Sequence, residues 1–466
     1  MDSGMNWKTN FTDTDEGCLQ VAQGSEAEPI TVGAKATTLY FTHEADPGDK
    51  AKAYYTLALK SVQRGLPRPD YPEVMAYRVE YADGNSLRVP VRWGESIEDG
   101  RRRTFDPVSR WLGDLAWATI VWKGEHDYDN DLTPVRYRMS WPNPYPEKEI
   151  ARILIEAPDD NGSVVRIYGM EMDNEHSGGR SFFVSPDGDD EADGSFERPW
   201  ATPGKAAAIL EAGDTVYLRG GRYTVTDVIS PHHSGREDAW ITFCGYSGET
   251  AILDGSGIHT DSDLNEIVIH NGEDVTVIAS CSGTLHIHDR SYIRIRNLGI
   301  QNAPYGGIGV DAIPTWPCEP RPESFSGSHH IEILYNRIEG TVAAGIGVYG
   351  EAQRREVTRD QQRRILERVT SPSQYPEGGT YVVGERYVVK HVRVIGNQVL
   401  KAWDAATALK TTDPGAQEVI RRAFRERTRF GKENIDFESV RHFEVGFNEV
   451  SWGGKEGVDI MDGTRH

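Results

Sequence analysis

The chain has 466 residues, a length that points to two or three domains. Its 51 basic against 72 acidic residues leave a formal charge of −21, so no basic surplus is available to displace counterions along a nucleic acid. Hydrophobic residues make up 38%, and no run reaches the roughly 18 apolar residues of a spanning helix, which argues against a membrane partner. Four cysteines (Cys18, Cys244, Cys281, Cys318) make neither a disulfide framework nor a zinc pattern. Met1 to Thr12 is polar and lacks the apolar core of a signal peptide, so the chain is expected to be cytosolic or secreted with its signal removed.

Gly, Asn, Asp and Thr punctuate short apolar runs, the pattern of a mostly β protein. Residues 1–178 hold six of the eleven tryptophans: Trp7, Trp93, Trp111, Trp117, Trp122 and Trp141. The alternation from Tyr77 to Trp93 breaks at Asp83-Gly84 and predicts a hairpin with a type I′ turn. Ile150 to Ala157 and Ser163 to Met170 are two further strands across a polar turn. Together they predict an antiparallel sandwich, with the tryptophans as core or, alternatively, as a sugar-stacking platform. The stretch Ser140 to Ala151, SWPNPYPEKEIA, resembles galactose-binding-like sandwiches appended to carbohydrate-active proteins.

From Ser181 the order is a strand, a Gly/Asp loop, an Ala-rich helix and another strand, in SFFVSPDGDDEADGSFERPWATPGKAAAILEAGDTVYLRGGRYT. This run resembles the N-terminal cap and first turn of right-handed parallel β-helix proteins, especially the family nine pectate lyases. The resemblance implies an all-β chain, with the sandwich over residues 1–178 and a parallel β-helix with helical insertions over 179–466.

Internal repeats point the same way. Four segments align on an asparagine: Tyr292 to Asn297, Ile331 to Asn336, Val392 to Asn397 and Phe443 to Asn448. Nine or ten residues later come Gly307 to Val310, Gly345 to Val348, Ala406 to Leu409 and Gly457 to Ile460. Leu285 to Ile287, Tyr387 to Val389 and Ile435 to Phe437 precede three of the asparagine segments. Three short strands per repeat with an Asn at one corner describe β-helix coils, the asparagines being scaffold. Excess chain at 313–328, 351–380 and 413–433 is expected to follow one strand of each coil and to wall one face; Glu351 to Arg368 and Ala416 to Arg427 read as charged helices.

Alternation along the second strand sends Gly309, Gly347, Ala408 and Asp459 outward, then Asp311, Tyr349, Lys410 and Met461. Lys410 and Asp459 are expected on neighbouring coils, as a reactive pair or a solvated ion pair. Asp404, Glu456 and Asp459 are expected to converge as oxygen ligands for calcium, the alternative being ordinary turn carboxylates. The family resemblance sharpens the metal reading: its calcium aspartates fall where this chain has Asp404-Ala-Ala-Thr-Ala-Leu-Lys410 and Lys455-Glu456-Gly-Val-Asp459. Lys455 departs from the pattern, standing where an aspartate is expected. The coil at His466 carries no amphipathic cap, so the expectation is either a fragment or an end completed by further chain, another subunit or a neighbouring copy.

The expected function is cleavage of an acidic polysaccharide by β-elimination, with the protein secreted or periplasmic. Lys410, Asp459 and Asp462 are the candidate catalytic residues. Tyr349, Asp311 and Trp403 are the candidate substrate contacts, and Ca2+ at Asp404, Glu456 and Asp459 is the candidate cofactor. Two alternatives stand beside it: a glycoside hydrolase using paired carboxylates on the same face, and a non-catalytic glycan-binding β-helix.

Overall fold

A computed structural model describes residues 8–10, 18–22, 27–64, 70–103, 115–157, 162–173, 179–258, 283–304, 306–311, 327–350, 389–402, 433–438, 440–451 and 457–461. The chain is all-β. Its first part forms two antiparallel sheets. One orders Lys8–Asn10, Val164–Asp173, Thr38–Asp46, Leu132–Pro142 and Arg101–Arg103; the other orders Ile30–Ala34, Ile150–Glu156, Glu73–Tyr81 and Ser86–Arg92. Burial alternates residue by residue along Leu132–Pro142, as a strand with one face on a core requires. Trp93, Trp141, Tyr77, Tyr137 and Phe41 fill that core, with the Phe41 and Tyr77 rings stacked 3.9 Å apart. Trp122 stands outside it, 42% exposed beneath the Arg136 guanidinium, and Trp117 is buried in a separate cluster with Ala116 and Cys244. Trp7 and Trp111 lie outside the described residues.

The hairpin forms, but not on a type I′ turn. Gly84 is at φ +88° while Asp83 is not left-handed, and Gly84 N–H donates to Tyr81 O while Tyr81 N–H donates to Asn85 O. This is a three-residue loop with its glycine in the left-handed position. A helix over Asp49–Gln63, which the sequence reading did not anticipate, packs Ala51, Tyr54 and Ala58 onto the same core.

His43 is fully buried there, bonded to the Tyr77 hydroxyl and to Ser96 O. Burial pushes its imidazole down to about 4, against the opposing Ser96 bond. Above pH 6.5, the ordinary value, it is neutral in both folded and unfolded chains; below it, only the unfolded chain gains the proton. Stability is therefore present above that pH and falls by about 3 kcal/mol as pH approaches 4. Urea midpoints across this range should fall less steeply for His43→Gln than for the native chain.

From Ser181 the strands become parallel and build three sheets. The first holds Ser181–Val184, Thr215–Leu218, Ile241–Gly245, Ser291–Arg296, His329–Leu334, Val389–Ile395 and Val440–Gly446. Gly221–Thr224, Ala251–Asp254, Gly299–Ala303, Arg337–Thr341, Gln398–Leu400 and Glu449–Ser451 make the second. The third holds Gly283–His288, Gly306–Asp311, Ile346–Tyr349, Ile435–Glu438 and Val458–Met461. Ile, Val and Leu side chains from all three meet in one continuous core. The expected short helix spans Pro203–Ile209, capped by Thr202, whose N–H and hydroxyl both donate to Asp190, as does the Ala201 N–H.

The asparagine ladder runs through Asn336, Asn397 and Asn448. Asn397 Oδ1 accepts Asn336 N–H at 2.8 Å, and Asn448 Oδ1 accepts Asn397 N–H at 2.9 Å. The first repeat is one residue out of the expected alignment: Ile293, not Tyr292, pairs with Ile331, so Leu298 stands on the rung and donates to Asn336 Oδ1. Asn297 instead takes the left-handed corner shared by Tyr335, Gly396 and Phe447. At Gly396 a Cβ would meet the Tyr335 ring at 2.4 Å, which explains a glycine there.

A second correction bears on the site. Ile435–Glu438 pairs in register with Ile346–Tyr349 on one side and Val458–Met461 on the other. It occupies the place expected for Ala406 to Leu409, which lie outside the described residues. Residues 312–326 and 351–388 connect the third sheet back to the first, whereas 403–432 connect the second sheet to the third. The three long segments therefore do not all follow the same strand. In the last described coil the inward Val458 and Ile460 are 41% and 48% exposed.

Candidate active site

Two outer faces of the coil stack are closed by their own charges. On the first sheet Arg294, Glu332, Arg393 and Glu444 form an alternating ladder one coil apart. Burial disfavours the Glu332 carboxylate, but Arg294 and Arg393 outweigh it and hold its pKa below the ordinary value. On the second sheet Arg222 pairs with Asp254, and Lys401 with Glu339. The third sheet differs. Its outward columns run His286, Gly309, Gly347, Asp436, Asp459 and His288, Asp311, Tyr349.

At one end of this face, ligand oxygens of Glu433, Asp436 and Asp459 all lie within 4.8 Å of one another. Asp436 and Asp459 stand directly opposite each other on neighbouring coils. Glu433 is brought in where the chain returns to the third sheet, a point fixed by the fully buried Asn434. That side chain accepts Ala402 N–H and donates to Ser451 O. Glu433 and Asp436 are buried as well. Three hard oxygen donors at this separation could hold a hard cation such as calcium.

Tyr349 connects the cluster to the rest of the face. Its hydroxyl donates to Asp436 Oδ2 at 3.1 Å, and its ring lies across Gly347, where a Cβ would meet Tyr349 Cε2 at 2.4 Å. Gly347→Ala is therefore expected to push the ring aside and cost about 1–3 kcal/mol. Tyr349→Phe should lose the hydroxyl bond with a smaller effect, and urea unfolding of both variants checks the order.

Two coils away, Asp311 is buried, accepting His286 Nε2 at 3.0 Å on one oxygen and His288 Nδ1 on the other. Burial opposes its ionisation, yet the two imidazole bonds prevail and keep its pKa below the ordinary carboxylate value.

The structure thus brings Asp459 into a carboxylate cluster, and places Tyr349 and Asp311 as buried residues of the same face. Asp404, Trp403, Lys410, Glu456 and Asp462 lie outside the described residues. Glu433, Asp436, His286 and His288 were missed. A signal for the first two existed: Glu433-x-x-Asp436 repeats the Glu456-x-x-Asp459 spacing one coil earlier. For the imidazoles it was His-x-His on the outward positions of a strand already recognised.

Parallel coils carrying a carboxylate cluster on one outer face define the class, a right-handed parallel β-helix. Residues 182–314 match the family model described as Pel9A-like, right handed beta helix region. The Pectate lyase PEL9 of Emericella nidulans is 37% identical over 131 residues, which cover 28% of this chain and 30% of that protein. The uncharacterized protein YwoF of Bacillus subtilis is 29% identical over 174 residues, 37% of this chain and 32% of that one. The crystal structure of pectate lyase Pel9A aligns over 61% of this chain and 52% of its own, at 14% identity and a TM-score of 0.34. The chain spans about a third of the length of the curated relatives it matches.

Proposed function

We propose that the protein cleaves an acidic polysaccharide by β-elimination on the outer face of the third sheet, outside the cytosol, with calcium held by Glu433, Asp436 and Asp459. The observation that carries this reading is the convergence of three carboxylates within 4.8 Å on one coil face, beside the match of residues 182–314 to the Pel9A-like region. Calcium bound there would supply positive charge to a uronate carboxylate and to the enolate-like charge that grows when the α proton leaves. Tyr349 orients Asp436, and Asn434 fixes the turn that presents Glu433. The proposed proton-abstracting base is Lys410, which lies outside the described residues. An amine serves as base once cationic neighbours and partial burial lower its pKa.

One observation also favours a glycoside hydrolase. Asp436 and Asp459 face each other at a separation closer to the roughly 5–5.5 Å of a retaining pair than to the wider inverting spacing. Digestion of polygalacturonate, rhamnogalacturonan and a neutral glucan, with and without EGTA, separates the readings. Ultraviolet-absorbing unsaturated ends that vanish with EGTA support elimination. New reducing ends without that absorbance mean hydrolysis, and binding without either means a non-catalytic glycan-binding β-helix.

A further inference from the structure

We propose that His286, His288 and Asp311 form a second subsite on the third face, one that accepts a carboxylate of the polysaccharide several sugar units from the Glu433–Asp436–Asp459 cluster. This rests on the reading that the ligand is an acidic glycan.

The geometry is built by the register. Asp311 lies opposite His288 on the next coil, and Gly309 lies opposite His286. With no side chain at Gly309, the Asp311 carboxylate reaches both rings, taking His286 Nε2 on Oδ2 and His288 Nδ1 on Oδ1. Ser328 Oγ donates to the Asp311 backbone carbonyl at 2.7 Å and fixes the strand end. The carboxylate is buried while the rings stay partly open, with side chains 17% and 36% exposed. On its other edge the strand is bordered by the Ile229 backbone, which bonds His286 N–H and Thr284 O. Asp311 is the charged group presented from the neighbouring coil.

Charge supplies the function. The chain carries −21, and the other described ionisable side chains of this face are acids or the Tyr349 phenol. Among the described residues of the face, these two imidazoles are the groups able to become cationic. An ionised Asp311 draws one N–H from each ring. A second proton turns the other nitrogen, His286 Nδ1 or His288 Nε2, into a donor. Two imidazolium rings against one carboxylate leave a net positive charge. Three coil steps separate His286 from Asp436 in the same column, roughly 14 Å along the axis. A polymer lying along the stack reaches both.

The test measures binding of a size-fractionated oligogalacturonate to the full chain in EGTA, where calcium chemistry does not contribute. The native chain should bind about tenfold more tightly near about pH 5.5 than near about pH 8, because only the doubly protonated rings carry positive charge. The double variant His286→Gln/His288→Gln should lose that pH dependence, and a methyl-esterified oligomer should show none. Asp311→Asn, a milder change, should reduce it partway, and melting curves of both variants establish that they are folded. An unchanged pH dependence in the folded double variant, or no oligogalacturonate binding by the native chain at either pH, would overturn the proposal. Imidazole-dependent binding without any cleavage in calcium would instead count against elimination alone.

Discussion

Asn397→Ala is expected to lower the stability of the coil stack by about 3 kcal/mol or more, the largest loss from any single ladder position. The Asn397 side chain is fully buried and serves both neighbouring coils. Its Oδ1 accepts the Asn336 backbone N–H at 2.8 Å and Nδ2 at 3.0 Å, while its own Nδ2 donates to Ile333 O and Asn448 Oδ1. Alanine leaves a buried N–H and a buried carbonyl without partners, each costing about 1–3 kcal/mol. Equilibrium urea unfolding checks this. Asn448 stands on the same rung but is only partly buried, so Asn448→Ala should cost less because water reaches the groups it abandons.

Asp436→Asn is expected to abolish calcium-dependent cleavage, by about 100-fold or more, while shifting the unfolding midpoint little. The substitution keeps the volume and can still accept from the Tyr349 hydroxyl, but it removes one negative charge from a cluster in which Glu433 and Asp459 lie within 4.8 Å. Fewer like charges relieve repulsion in the metal-free protein, so its stability should hold or rise slightly. Calcium titration calorimetry together with the rate of unsaturated-product formation checks both halves. A variant that keeps its rate would remove Asp436 from the chemistry.

The all-β fold and the coil pattern were legible because the core face repeats Ile, Val and Leu at period two, and the asparagine corner marks each coil. Register was less legible. Asn297 looks like the ladder residues, but it occupies the left-handed corner and Leu298 holds the rung; only inter-coil hydrogen bonds distinguish the two placements. The carboxylate site was half legible. Alternation places Asp459 in the outer column, but the spacing from Asn397 puts Ala408 beside it, where the structure pairs it with Asp436. A long segment, residues 403–432, intervenes before the chain rejoins the third sheet at Ile435. A triplet with its middle residue turned outward suits a strand on either side of such an insertion, so alternation alone could not choose between Thr407-Ala-Leu409 and Ile435-Asp-Phe437. The imidazole pair was not legible as a unit, since it depends on Gly309 leaving room for Asp311 to reach across a coil.

The central claim is that the outer face of the third sheet holds calcium through Glu433, Asp436 and Asp459. An anomalous difference map from crystals of the protein grown with calcium tests it most directly. The account predicts a peak bounded by oxygens of those three residues, lost in Asp436→Asn crystals. A map with no peak there, or with the ion bound elsewhere on the chain, would contradict it.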